Sequence, residues 1–364
     1  MKRYRKILLF AVSFLFIAIT KLSAQEANAD SMQVKQNDKQ FAVEPGADST
    51  SIRKPDQPNM AQFNNDSASI RQFDKPNMVE VYPGFFITRF DFSDPHSNKS
   101  DYHLLVNSNG YTGVYFNYKW ISLKYTWSMP GTSLDKSVKM NNTSLSFRFT
   151  GDRTLVHSFY DSFNGLLIPE KTGRNKYEPF RGITITDLGT DFYYFSNGRR
   201  YSPKAANFYS ELQSKPAGSL FGMITPLWQK VNWISPSPQL ITDPETYSLL
   251  SSDPSWVSLI ARIGYTYNMV FEKGRYNIAP AVVFGTGRLR ELHAPGKTIQ
   301  PVNDFQAWLN AGYNGQNYYA YLNGSVSNLQ TNLLIARMHE IKKDISFTIG
   351  YRFHSLKKKI FGIV

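Results

Sequence analysis

From Val257 to Phe271 the chain holds one side-chain phase. Val257, Leu259, Ala261, Ile263, Tyr265, Tyr267, Met269 and Phe271 alternate with residues that include Ser258, Arg262, Thr266 and Asn268. A period of two puts one set on each face of a β-strand. The run is long for a soluble protein, whose strands span about 5–6 residues, while a tilted membrane strand needs about 9–11. The pattern recurs along the chain. Ile121, Leu123, Tyr125 and Trp127 interleave with Ser122, Lys124, Thr126 and Ser128. Leu145, Phe147 and Phe149 interleave with Ser144, Ser146 and Arg148. Ile345, Phe347, Ile349, Tyr351 and Phe353 interleave with Ser346, Thr348, Gly350, Arg352 and His354. The polar sets carry Lys and Arg, so that face meets water.

A soluble sandwich gives the same alternation with its apolar face turned inward. Three features favour lipid on the apolar face instead. The segments are long. Aromatics form 15% of the chain, with 22 Tyr, and many fall near segment ends, as interfacial girdles do. Connections alternate between short turns (Tyr118-Lys119-Trp120, Asn314-Gly315-Gln316) and long polar stretches (Asp94 to Asp101, Pro169 to Pro179, Gln229 to Ser255). After residue 24 no stretch approaches the roughly 20 apolar residues of a membrane helix, so spanning requires closed strands. Candidate strands fall near 84–92, 111–118, 121–128, 143–150, 155–168, 183–195, 204–213, 218–226, 256–271, 275–287, 305–313, 317–327 and 345–354, with 331–339 doubtful. Bacterial single-chain barrels close on an even number. The expected fold is therefore all-β, an antiparallel transmembrane β-barrel over residues 79–364 with about 12 strands (10–14 allowed). Arg148, Arg262, Arg352, Asp187 and Asp191 are expected in its lumen, where facing charges can plug a barrel of this size as readily as line a channel.

The first residues give the compartment. Lys2, Arg3, Arg5 and Lys6 precede an apolar run from Ile7 to Ile19, and Ser23 and Ala24 precede Gln25. This order reads as a signal peptide over residues 1–24, its apolar run short for a membrane span. No Cys follows it, which excludes a lipoprotein anchor. With its five basic residues removed, 36 basic face 28 acidic residues, a net of +8. In an exported protein that charge points to anionic lipid head groups and lipopolysaccharide phosphates rather than to nucleic acid. The absence of cysteine excludes disulfides and thiolate metal sites. Outer-membrane placement also calls on the barrel-assembly machinery during biogenesis, and leaves the N-terminal tail in the periplasm.

Residues 25–78 are too polar to offset their ordering entropy and read as a disordered tail. An 18-residue repeat runs through it: Asp48-Ser-Thr-Ser-Ile-Arg-Lys-Pro-Asp-Gln-Pro-Asn-Met60 aligns with Asp66-Ser-Ala-Ser-Ile-Arg-Gln-Phe-Asp-Lys-Pro-Asn-Met78, with a fainter copy from Asp30. Each copy opens on Asp-Ser followed by Met32, Thr50 or Ala68. This resembles the acceptor motif for periplasmic O-glycosylation in the Bacteroidetes, which makes Ser31, Ser49 and Ser67 candidate acceptors. The competing reading is that a duplicated linker carried its Asp-Ser with it.

Several local signatures are similar to those of an outer-membrane family of the Bacteroidetes, domain of unknown function 4421. They are Gly113-Val-Tyr-Phe-Asn-Tyr-Lys-Trp-Ile-Ser-Leu-Lys-Tyr, Tyr160-Asp-Ser-Phe-Asn-Gly-Leu, Phe195-Ser-Asn-Gly-Arg-Arg-Tyr-Ser-Pro-Lys-Ala-Ala, Gln213-Ser-Lys-Pro-Ala-Gly-Ser-Leu and Gly350-Tyr-Arg-Phe353. The resemblance covers about residues 78–364 and implies fold and location but no activity. The chain departs from it by running past Phe353 through Lys357, Lys358 and Lys359.

Catalytic signals are weak. Ser196-Asn197-Gly198 resembles the nucleophile stretch of outer-membrane phospholipases, but Tyr194 stands where their histidine base belongs. An ordinary turn accounts for it better. The six histidines (His96, His103, His157, His293, His339, His354) lack metal-ligand spacing. Gly285-Thr-Gly287 lacks the third glycine of a dinucleotide site. Asp187 and Asp191 lie about 13 Å apart on one strand face, too far for a coupled pair. No catalytic residues, cofactor or metal site are expected. The expected function is a non-enzymatic outer-membrane barrel: a pore, an anchor or an envelope component. A lipid-modifying barrel enzyme and a secreted soluble β-sandwich or lipocalin-like binder are the alternatives.

Overall fold

In the computed structural model, residues 69–93, 102–107, 110–119, 121–136, 142–169, 176–234, 244–292, 299–334 and 336–355 are described. Residues 1–24, expected from sequence to be a signal peptide, the candidate acceptors Ser31, Ser49 and Ser67, His96, His293 and the Lys357–Lys359 run lie outside them.

The strands in chain order are β1 (Ile70–Gln72), β2 (Asn77–Val81), β3 (Gly84–Ser93), β4 (Tyr102–Val106), β5 (Gly110–Tyr118), β6 (Ile121–Ser128), β7 (Thr143–Thr150) and β8 (Thr154–Pro169). They continue as β9 (Tyr177–Phe195), β10 (Glu211–Gln213), β11 (Ala217–Trp233), β12 (Ser255–Phe271), β13 (Tyr276–Glu291), β14 (Ile299–Asn314), β15 (Tyr318–Asn332) and β16 (Arg337–Phe353). Two helices, α1 (Pro203–Phe208) and α2 (Pro244–Ser251), lie between strands.

β2 and β3 hold one register against β16, from Asn77 opposite Phe353 to Ser93 opposite Arg337. They are one wall strand interrupted at Tyr82 and Pro83, where proline has no N–H to give the ladder. β4 and β5 form the next wall strand, pairing β3 and β2 in turn. The wall then runs through β6, β7, β8, β9, β11, β12, β13, β14, β15 and β16, and closes on β2 and β3. The result is a twelve-strand antiparallel ring, the expected number. β6 and β7 are only 8 residues each. Beyond their tips β4 pairs β8 directly, Leu105 with Leu167 and Val106 with Leu166, so the wall narrows by one hairpin at that end.

Position in the ring decides which way each side chain points. Phe85, Leu220, Ile224, Leu259, Ile263, Phe284, Leu322 and Ile345 all face outward, with Ile263 67% exposed. Their neighbours in sequence face the lumen. Along β13 the outward set is apolar from Tyr276 to Phe284 and then changes to Thr286, Arg288 and Arg290. Along β16 it is apolar from Phe353 up to Ile345 and then reads Lys343, Ile341, His339 and Arg337. Near the chain-terminal end the outward aromatics pair across strands, Tyr318 with Tyr351 at 5.1 Å and Tyr276 with Tyr313 at 5.4 Å. A closed ring with an apolar outer belt and an aromatic girdle is the build of an outer-membrane barrel. The soluble sandwich fails on this point, because its apolar set would have to pack inward. Among the described residues no helix is long and apolar enough to cross a membrane.

Three expectations need correction. Residues 204–213 are not a wall strand: they form α1 and β10, on a segment between β9 and β11. Ser202 caps the helix by accepting from the Ala205 N–H, Pro203 occupies its first turn, and Tyr209 ends it in the left-handed region at φ 54. These local signals outweigh the short alternation that suggested a strand. Residues 69–78 were expected in the disordered tail but are ordered: β1 pairs β10, and Asn77 and Met78 belong to the wall. The long connection expected from Gln229 to Ser255 is shorter, since β11 runs on to Trp233 and α2 follows.

Candidate functional site

Among the described residues the lumen holds most of the wall's polar side chains below its outer edge, and the candidate site is built there. It has four layers, taken from the chain-terminal end toward the long loops.

The first is the segment from Ser196 to Pro216, which enters the ring. Tyr201, Ala206 and Tyr209 are fully buried. Asn277 donates to the Ala205 carbonyl at 3.3 Å and Asn314 to the Glu211 carbonyl at 2.8 Å. Trp308 Nε1 and Asn310 Nδ2 both donate to Asn207 Oδ1, at 3.2 and 3.0 Å. The Tyr209 ring stacks on Tyr321 at 4.3 Å. Arg352 donates to the Tyr209 carbonyl and, at 2.6 Å, to Asn314 Oδ1, and its guanidinium lies between the Phe73 and Tyr319 rings at 3.8 and 4.1 Å. Tyr319 itself lies across Gly350, whose missing Cβ gives the ring its space. Burial pushes the Tyr201 phenol up to about 12, against hydrogen bonds to Thr266 and Asn207. Burial also raises Tyr209. Burial opposes the charge on Lys204, yet the carboxylates of Glu211 and Asp152 outweigh it and hold its pKa up.

Above this segment lies a chamber of about 300 Å³. Its walls carry Glu80, Lys124, Arg148, His157 and Asp344 among tyrosines, Trp308 and a row of amides and hydroxyls. The third layer is a charged belt. Lys342 Nζ meets Glu340 at 2.6 Å, Asp187 at 3.0 Å and Asp161 at 4.0 Å. Arg262 pairs with Asp304, donates to Thr225 and approaches Asp191 at 4.0 Å. Gln229 ties the Lys342 half of the belt to the wall: it donates to Asp187 at 3.0 Å and accepts from Trp256 Nε1 at 3.0 Å. A cavity of about 90 Å³ lies between the two groups.

The fourth layer is apolar. Phe90, Phe92, Leu104, Phe163, Phe180, Ile185, Trp233, Trp256 and Met338 fill the lumen, and Leu249 and Leu250 of α2 pack into them. Phe180 meets Trp233 edge-on at 4.9 Å, and Tyr247 meets Trp233 at 5.7 Å. Burying these side chains stabilises each by roughly 1.5–3 kcal/mol relative to exposure, so this closure belongs to the folded core.

The five residues expected in the lumen are all there. Arg262, Asp187 and Asp191 meet in the belt, Arg148 lines the chamber and Arg352 anchors the inserted segment. Asp187 and Asp191 serve different cations, Lys342 and Arg262. Ser196 sits in a turn, where its hydroxyl donates to the Leu220 carbonyl at 3.0 Å. His157 reaches Asp191 at 3.4 Å, whereas His103 pairs with Asp91 at 2.7 Å on the outer face.

The family model described as a domain of unknown function, DUF4421, matches residues 64–353. The chain belongs to the DUF4421 family. No protein of curated function matches the sequence. Solved structures similar to this DUF4421 barrel include the β domain of the Bordetella autotransporter BrkA, at 10% identity and a TM-score of 0.39 over 77% of this chain and 100% of that one. The translocator domain of the autotransporter NalP from Neisseria meningitidis follows at 13% identity and 0.35, over 76% and 88%. The outer-membrane protease OmpT from Escherichia coli matches at 9% identity and 0.31, over 77% and 98%.

Two parts of the DUF4421 lumen were not singled out from sequence. The Glu340–Lys342 pair lies in a stretch, 331–339 and onward, whose alternation is broken by adjacent charges. α1 was missed although Ser202-Pro203 followed by Lys204-Ala205-Ala206 carries a helix-start signal.

Proposed function

We propose that this DUF4421 barrel is a non-enzymatic outer-membrane envelope component with a closed lumen, rather than a diffusion pore. The observation that carries this reading is closure from both ends, by the Ser196–Pro216 segment on one side and by the apolar layer with Leu249 and Leu250 on the other. An open channel of this strand number would need a continuous aqueous path, and between the closures the ion pairs of Lys342 with Glu340 and Asp187 and of Arg262 with Asp304 stand in the lumen.

Short turns share an end with both wall termini, at Asn77 and Phe353, which puts that end in the periplasm and the longer connections outside. At the outer end the outward face carries Arg89, Lys230, Arg288, Arg290, Arg337 and Lys343, against Asp91. Lipopolysaccharide phosphates are the partners that suit this belt. Barrel-assembly machinery would insert the chain after removal of residues 1–24, and Ser31, Ser49 and Ser67 would be glycosylated on the periplasmic side.

Purified protein in planar lipid bilayers tests the closed lumen. The expected record has no ohmic steps at either polarity in molar salt. Stable, reproducible conductance steps would overturn it.

A further inference from the structure

We propose that the 300 Å³ luminal chamber is a binding site for a small anionic, hydroxyl-bearing molecule of the acid-sugar or sugar-phosphate class. Its walls carry both signs of charge. Glu80 accepts from the Tyr319 hydroxyl at 2.8 Å and from that of Tyr321 at 3.4 Å, so wall hydroxyls answer this carboxylate. Lys124 faces Asp344 and Glu80, and Arg148 faces Glu80, only beyond contact distance. Among the described residues neither Lys124 nor Arg148 forms an ion pair within 4 Å. Lys124 Nζ rests 4.3 Å over the Tyr82 ring. Arg148 lies 3.5 Å over Phe208 of α1 and donates once, to the Tyr115 hydroxyl at 2.6 Å. Aromatic faces hold the two cations in place while leaving most of their N–H donors free. Lys124 faces Ser146 across the β6–β7 ladder, and Arg148 is two residues on along the same luminal face. Diagonal neighbours of that kind sit about 7–8 Å apart, within reach of one carboxylate or phosphate between their long side chains.

The opposite wall is neutral and suits a hydroxylated ring. Asn323 Nδ2 donates to Asn310 Oδ1 at 2.7 Å, Asn310 to Asn207 at 3.0 Å, and Trp308 to the same Asn207 oxygen. This amide row lies beside the Trp308 ring, so hydrogen-bonding groups and an aromatic face are offered together. The volume stands at the lower bound for small-molecule pockets, which fits a single sugar ring with its acid group. Access is from the chain-terminal end, where the closing segment is held by hydrogen bonds and ring contacts, since the loop end is packed with apolar side chains.

The test uses full-length protein in detergent, with thermal unfolding followed against glucose 6-phosphate, galacturonate, glucose and inorganic phosphate. Glucose 6-phosphate or galacturonate should raise the Tm in a saturable way, and glucose should not. Lys124→Gln and Arg148→Gln should each weaken that response at least tenfold, while the outward-facing Lys343→Gln leaves it unchanged. Arg148→Gln also loosens α1, so Lys124→Gln, whose side chain rests over the Tyr82 ring and away from α1, is the deciding variant. No response to either acidic sugar, or an unaltered response in Lys124→Gln, would overturn the proposal. Inorganic phosphate binding as tightly as glucose 6-phosphate would overturn its sugar-recognising half. Bilayer conductance has no bearing on these outcomes, so the closed-lumen reading and this one fail separately.

Discussion

Arg352 shows how one side chain ties three parts of the chain together. It comes from the last wall strand, holds the carbonyl of Tyr209 in the inserted segment, and stacks on Phe73, which precedes the first wall strand. It is fully buried, and its Nε and Nη1 find no acceptor among the described residues. Its contribution is therefore geometric: two hydrogen bonds from one charged group and two ring faces. Arg352→Ala should lower stability by about 2–3 kcal/mol, the scale of charge-assisted hydrogen bonds plus cation–π contacts. Arg352→Lys should recover only part of this, because an ammonium cannot span Tyr209, Asn314 and both rings together. Urea unfolding in liposomes measures both. A loss under 0.5 kcal/mol for the alanine variant, the range of ordinary surface substitutions, would mean that the segment is held by its other contacts.

At the scale of the element, the inserted segment carries three titrating groups whose shifts agree in sign. Tyr201 and Tyr209 are raised by burial, so the fold favours their neutral phenols. Their contribution is complete below the ordinary value of 10.0 and falls as pH rises, for Tyr201 until about 12. Lys204 is held charged by Glu211 and Asp152, and that contribution is likewise lost as pH rises. The segment should thus leave the ring between about pH 10 and 12 while the wall persists. Because the chain has no cysteine, Ser210→Cys gives a single labelling site for an environment-sensitive fluorophore. Release below pH 9, or none by pH 12, would contradict the assignment. This element also lacks the periodic signal that the wall carries. The wall was legible because alternation over ten or more residues is a strong signal, and Arg148, Arg262 and Asp187 fell on the luminal face by parity alone. The Ser196–Pro216 segment was not, since its six-residue helix and three-residue strand are too short for any period. What holds them is contact with Asn277, Asn314 and Trp308, each far away in sequence. The chamber was hidden for the same reason: Lys124 was plainly on the wet face, but its lack of an ion pair is a fact of three dimensions.

For the whole molecule, the physical claim is an inverted arrangement: a polar and charged middle inside, an apolar belt outside. Phe347 tests it most directly. It faces outward and is 43% exposed, four residues from Tyr351 in the aromatic girdle and four from Lys343 at the polar edge. Each step is about 13 Å along the strand, so Phe347 lies near the middle of the belt. Phe347→Lys should cost about 2–4 kcal/mol, the penalty for a cation at the bilayer midplane. Leu105→Lys, on the outer face beside Arg89 at the polar edge, should cost about 0–1 kcal/mol. In liposomes the folded fraction can be read from the faster-migrating band of unboiled samples across a urea series. If both lysines cost the same, depth plays no part and the belt is not in lipid. A large gap between them, shrinking when the same variants are folded in short-chain detergent micelles, is the result expected of a wall whose outer face is solvated by acyl chains.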